Sequence, residues 1–423
     1  MRYFDHNASS PLIEAARLAW LDSAHRTPGN PSSPHRPGAR ADHALQLARE
    51  TLATRLGAPA HRLVWTSGAT EANNTALHHV AHTSTGDVWI SALEHPCVLA
   101  AATRWFPGRV QLIPARPSGV TDLDWIADRL PHHRPALIAV MAANNETGVL
   151  QPWPDLLRLC LHHGVPFLCD AAQWLGKLPA AGLGDCDFVS GCAHKFGGPP
   201  GTGFLLAPPN LKPLLVGGLQ EDGRRAGTEN VPGAAGCAAA LLDREDALAR
   251  IPHELRQRDR DAFEARIANA IPGLQIVGRN APRLWNTSAL LLPPVDCRRR
   301  WVVRLDKLGF AVSTGSACSS GREKPSHVLQ ALGLDATGDR LVRVSAGWET
   351  SADDWSALAD ALLTVAAEFG VLQDPAPAPN PARSNSDSTS SAVAPTLSLP
   401  ARRSSARTGY HGRRAPSPSP PRS

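Results

Sequence analysis

The chain has 423 residues, is 43% hydrophobic and 19% charged, and carries a formal net charge of +5. That length calls for two lobes rather than one simple core. No apolar run is long enough to span a bilayer, and Met1-Arg2-Tyr3-Phe4-Asp5-His6 lacks the apolar stretch of a secretory signal, so a cytoplasmic protein without a membrane partner is expected. From Gln373 onward seven arginines face only Asp374 and Asp387, which accounts for the whole positive excess. The body is neutral, and direct nucleic-acid binding is not supported.

In chain order, Ala39 to Leu56 reads as an amphipathic helix. Leu63 to Thr66 reads as a short strand, and Ser67-Gly68-Ala69-Thr70-Glu71 turns into a second helix. Further strands are predicted at Val88 to Ser91, Ala136 to Met141, Pro166 to Cys169, Phe188 to Ser190 and Gly203 to Leu206. The alternation argues for a mostly parallel sheet covered by helices. After about Ile251 the texture changes. Helices are expected at His253 to Ala270, Arg299 to Leu308 and Ala352 to Phe369. Short strands are expected near Leu274 to Val277, Asn286 to Leu292, Phe310 to Val312 and Leu341 to Val344, as in a smaller α+β domain. The Pro-, Ser- and Arg-rich stretch 373–423 cannot build a core and is expected to be disordered.

The eight cysteines form no C-x-x-C pair, so neither a zinc site nor a disulfide framework is expected. Cys318 differs from the rest. It sits in Ser316-Ala317-Cys318-Ser319-Ser320-Gly321, with Arg322 and Lys324 nearby, a setting that exposes a thiol and favours thiolate.

The chain has five lysines. Lys195 follows a strand and precedes the turn Phe196-Gly197-Gly198-Pro199-Pro200-Gly201, where the backbone can approach a ligand. A lysine there can form a Schiff base with an aldehyde cofactor, although on local grounds an ordinary surface lysine is the simpler reading. Asp170 ends an apolar strand, where ligands of parallel sheets bind. It can hold a pyridinium nitrogen or cap a helix equally well. The Ser67 to Glu71 turn offers a helix start for phosphate or an ordinary cap, and it is neither a P-loop nor a dinucleotide fingerprint. His95 follows a strand. Arg343, inside an apolar run, must meet an anion, either an acidic side chain or a substrate carboxylate.

The order of these features is more specific than any one of them. Tyr3 to Pro11, Gly29 to Ser33 with His35, Thr66 to Asn74, Glu94-His95, Asn144 to Gly148, Asp170 to Gln173 and His194-Lys195 follow one another along the chain. Arg224 to Asn230, Ser313 to Gly321, Pro325 to Leu329 and Arg343 to Ser345 continue the series. Over roughly residues 2 to 370 the chain resembles the class V aminotransferase superfamily and, within it, the NifS/IscS-type cysteine desulfurases. The resemblance implies a fold type I large domain for pyridoxal 5'-phosphate (PLP) over residues 1–250, with the first residues free to join the smaller domain. That smaller α+β domain, 251–372, would carry the catalytic cysteine loop, ahead of the tail at 373–423.

By resemblance, Lys195 binds PLP covalently, Asp170 pairs with the ring nitrogen and His95 stacks on the ring. Asn145 and Gln173 lie near the phenolic oxygen. Ala69, Thr70, Cys192 and His194 hold the phosphate, with Thr228 reaching the phosphate of a partner subunit in a homodimer. Arg343 and Asn145 hold the carboxylate of L-cysteine, and Cys318 attacks its sulfur. The implied partner is a sulfur-acceptor or iron–sulfur scaffold protein. No resident metal is implied, although Cys318 could transiently ligate an iron–sulfur cluster with that scaffold. Two positions depart from the family: Cys192 stands where serine is usual, and Pro200 replaces a lysine. A thiol is a poorer phosphate donor than a hydroxyl. Selenocysteine lyase, another class V transaminase and a non-catalytic scaffold are the competing readings. Cys318 argues against a transaminase, and the intact set of candidate residues argues against a scaffold.

Overall fold

The structure is a computed structural model that describes residues 1–295, 300–314, 326–334 and 340–372. The predicted disorder of 373–423 and the position of Cys318 lie outside the described residues.

The chain opens with β1 (Arg2–Tyr3), α1 (Glu14–Arg26) and α2 (Arg36–Leu56). Helix α2 starts three residues before the expected Ala39, because Pro37 suits a first helical turn and the His35 ring accepts the Gly38 N–H at 3.1 Å. Then follow β2 (Leu63–Thr66), α3 (Ala69–Thr83), β3 (Val88–Ser91), α4 (Pro96–Trp105), β4 (Val110–Ile113), α5 (Leu123–Arg129) and β5 (Leu137–Ala139). Next come α6 (Trp153–His163), β6 (Phe167–Asp170), β7 (Phe188–Cys192), β8 (Gly203–Leu206) and α7 (Val231–Arg250). Strands β2, β3 and β8 match the sequence reading residue for residue.

These strands form one seven-stranded sheet in the order β2-β8-β7-β6-β5-β3-β4. Only β8 runs against its neighbours, and the other pairings in the sheet are parallel. Helices cover both faces. Ile138, Phe167 and Cys169 point into one core with Leu45 and Leu52 of α2, while Leu137, Ala139 and Leu168 point into another with Leu77 of α3. That two-sided burial is why the strands read as continuous apolar runs. The edge strand β4 went unread because Gln111 and Leu112 face solvent.

The second region contains α8 (His253–Ala270), β9 (Gln275–Ile276), β10 (Thr287–Leu291), α9 (Trp301–Lys307) and β11 (Phe310–Ala311). It continues with β12 (Ser313–Thr314), α10 (His327–Ala331), β13 (Leu341–Ser345) and α11 (Ala352–Glu368). An antiparallel sheet, β12-β13-β10-β9, packs on a core that includes Phe263, Trp301, Val342, Trp355 and Leu362. The chain's first residues belong to this core. Strand β1 pairs in parallel with β11, Phe4 is buried among these side chains, and Asp5 bridges to Ser345.

A buried ion pair braces the same region. Arg283 donates to both oxygens of Glu264 at 2.7 and 2.8 Å, each side chain is 3% exposed, and Arg260 lies 4.0 Å from Glu264. Replacing the acid strands the buried Arg283, while Arg260 keeps Asp261 at 2.6 Å. Glu264→Leu is expected to cost about 3–5 kcal/mol, read as a lowered urea midpoint, and an unchanged midpoint would show that the pair is dispensable.

Candidate active site

A cavity of about 780 Å³ opens at the carboxyl ends of the parallel strands. Such crevices are where open α/β sheets bind ligands. Its wall draws on the turn after β2, the end of β3, the turns after β5, β6 and β7, the N-terminal segment at Asn7-Ala8, and Arg343 on β13.

Lys195 enters this wall from a single tight turn after β7. The N-terminal segment clamps that turn, with the Ser10 N–H donating to His194 O at 2.7 Å and the Ser10 hydroxyl to Lys195 O at 3.0 Å. The Lys195 amine donates to Asn7 O at 2.6 Å and Ala8 O at 2.9 Å. Gly197 follows in the left-handed region at φ +90°, which a side chain would strain.

Asp170, the last residue of β6, is buried and oriented. One oxygen accepts from Asn73 Nδ2 at 2.8 Å and the other from the Ala172 N–H at 2.9 Å. This is a turn, not the helix cap that the sequence left open, because residues 171–177 do not form a helix. The His95 ring caps α4 by accepting the Cys97 N–H at Nδ1, 3.2 Å, so the proton of a neutral ring sits on Nε2. Burial pulls its pKa below the usual histidine range.

Helix α3 begins at the cavity with no capping side chain, since its cap residue is Gly68. A Cβ at Gly68 would meet nothing within 4 Å, which leaves open space at that helix start. Gly203 must also be glycine, because a Cβ there would lie 2.5 Å from Gly68 Cα. The Cys192 thiol stands beside Ala69, and burial pushes its pKa up to about 11, so it is an uncharged thiol at neutral pH. Burial, with the Lys195 and Lys177 charges, pulls His194 down to about 4.

At the opposite wall, Arg343 donates to Asp5 Oδ1 at 2.7 Å and to Asn145 O at 3.2 Å, while its buried Nε has no partner. The acidic-side-chain reading therefore holds for one arm of the guanidinium. Nearby, Glu146 accepts from the Ser326 hydroxyl at 2.6 Å, and burial raises its pKa.

Ten of the predicted residues thus line one cavity: Ala69, Thr70, His95, Asn145, Asp170, Gln173, Cys192, His194, Lys195 and Arg343. Pro200, at the second departure from the family, also lines it. Thr228 does not, and is exposed. Sequence reasoning gave no role to Asn7, Ala8, Glu146, Ser326 or His327, although all lie in stretches that carried the resemblance. Asn7 and Ala8 act here through carbonyl groups, which leave no side-chain signature.

The class V aminotransferase family model matches residues 2–358. A cysteine desulfurase of Rhodobacter capsulatus is 38% identical over 379 residues, covering 86% of this chain and 96% of its own. The chain belongs to the cysteine desulfurases of the class V aminotransferase family. Among solved structures, a NifS-like protein from Rickettsia africae superposes with a TM-score of 0.77 at 27% identity, covering 86% of this chain and 99% of its own. SspA in complex with cysteine gives a TM-score of 0.70 at 29% identity, covering 82% and 98%.

This family is PLP-dependent, and the cavity suits that cofactor. It offers an amine for an aldehyde, a buried carboxylate for a ring nitrogen, and an uncapped start of a fifteen-residue helix for a phosphate. The volume falls in the range of small-molecule sites. Borohydride reduction of the PLP-loaded protein, followed by peptide mapping, is expected to place the pyridoxyl group on Lys195. Its recovery on another lysine would overturn the assignment.

Proposed function

We propose that the chain removes sulfur from L-cysteine, releasing L-alanine and leaving a persulfide on Cys318 for iron–sulfur cluster assembly or thiolation acceptors. The observation that carries this reading is the convergence of Lys195, Asp170, His95 and Arg343 on one cavity, in a chain that also carries Cys318. The structural neighbour solved with cysteine supports the substrate.

When bound, PLP supplies an electron sink that stabilises negative charge at the substrate's α-carbon. The protein's residues do the rest. Arg343, oriented by Asp5, offers its guanidinium to the substrate carboxylate. Asp170 would hold the cofactor's ring nitrogen and favour its protonated form. Lys195 moves the α-proton, its amine steadied between two carbonyl oxygens. The Cys318 thiolate attacks the substrate sulfur. A sulfur–sulfur bond forms, the carbon–sulfur bond breaks, and its electron pair goes to the substrate carbon, which takes a proton on the way to alanine.

Residues 1–250 would hold the cofactor and residues 251–372 the cysteine segment. A cytoplasmic homodimer fits the exposed Thr228 and the apolar residues ahead of it, with Val216 80% and Leu219 86% exposed. Thr228 would then reach the phosphate of the other subunit.

Incubation with L-cysteine and a thiol is expected to release alanine and sulfide. Alanine no higher than in a Lys195→Ala control would sink the proposal. Cys318→Ser is expected to keep bound PLP and lose persulfide formation. Full sulfur transfer by that variant would assign the step to another residue.

A further inference from the structure

Lys177 has no part in the chemistry above, yet it lies directly behind it. It is 4% exposed and forms no ion pair among the described residues. Its amine donates to Gln173 Oε1 at 2.6 Å and Gln173 O at 3.3 Å. Gln173 Nε2 in turn donates to Asn7 O at 2.9 Å, the carbonyl that also accepts from the Lys195 amine at 2.6 Å. A chain of hydrogen bonds therefore runs Lys177, Gln173, Asn7, Lys195.

An ammonium can only donate, so the Gln173 carbonyl must face Lys177 and its NH₂ must face Asn7. Without that donor the amide can flip and set oxygen against oxygen. Lys177 and Lys195 also line a common narrow void with His6, Arg244 and Asn286. Burial first, then the charge of Lys195, pushes the Lys177 amine down to about 7, and the second cause falls away when Lys195 is neutral, so Lys177 holds its proton more strongly in that state. By the same coupling, a charged Lys177 disfavours charge on Lys195.

Among the described residues, the other titratable groups that face this pair are His6, His95, which burial likewise pulls down, His194, Cys192 and Arg343. Burial holds His6 and His194 down to about 4 and Cys192 up to about 11, so all three are neutral near pH 7. Arg343 is balanced by Asp5. Asp170 and Arg244 lie further along the same surroundings and are unchanged in every variant below.

We propose that Lys177 is a positioning residue: its buried amine fixes the Gln173 amide with its NH₂ toward Asn7, and its positive charge favours the neutral amine at Lys195. The inference rests on the reading that Lys195 carries the cofactor. A neutral amine is the form that attacks a carbonyl.

The test uses full-length protein as wild type, Lys177→Met, Lys177→Gln and Lys177→Arg. The readouts are the pH titration of the bound PLP absorption band and the rate of PLP capture by the apo form at pH 7. Removing a like charge at this range is expected to raise the titration midpoint of Lys177→Met by about one pH unit and slow capture several-fold. Lys177→Gln keeps a donor toward Gln173 and loses the charge, so it shows the same midpoint shift; it also carries the comparison if the methionine variant does not fold. Lys177→Arg returns the midpoint toward wild type. Wild-type midpoint and capture rate in both neutral variants would overturn the proposal while leaving Lys195 as the cofactor lysine. Absence of a reducible PLP adduct on Lys195 in the wild type would overturn the parent reading and this one with it.

Discussion

The candidate active site depends on two backbone carbonyls. Asn7 and Ala8 hold the Lys195 amine, and neither can do so unless the chain's first residues are locked in place. That lock is made far away in sequence. Strand β1 pairs with β11, and Asp5 bridges to Ser345. The Asn7 side chain donates to Thr287 Oγ1 at 3.0 Å, and the Asn7 N–H donates to Ser345 Oγ at 3.0 Å. The lysine comes from the parallel sheet, but its orientation comes from the antiparallel region.

Burial decides the charges that remain at the site. The imidazoles of His6, His95 and His194 and the Cys192 thiol are all driven toward their uncharged forms. Glu94, fully buried and near the Asp170 charge, is pushed well above the usual carboxylate range. In such a setting the few ions that persist act over short, poorly screened distances.

The fold was legible in the sequence where burial is two-sided or endings are chemically marked. Strands β2, β3 and β8 stand out as short apolar runs between turn residues, and α11 ends its reading one residue from the observed Glu368. Strand β4 was not legible, because half of it faces solvent. At the cavity, candidate residues with charged or reactive side chains were visible, Lys195, Asp170 and Arg343 among them. Those that contribute main-chain oxygens, Asn7 and Ala8, were not. Glu146 and Ser326 belong to a third kind: their pairing spans 180 positions, which no local pattern encodes.

The pairing of residues 2 and 3 with 310 and 311 also has a temporal meaning. A ribosome delivers the amino terminus first, yet these partners emerge only after most of the chain has been made. Lys195 and Asp170 can be in place within the nascent sheet while the clamp on the lysine is still missing. Contacts of such long sequence separation form late and slowly. The site would therefore mature only when synthesis has passed Ser345, and until then a newly made chain would have the amine but not the geometry that aims it.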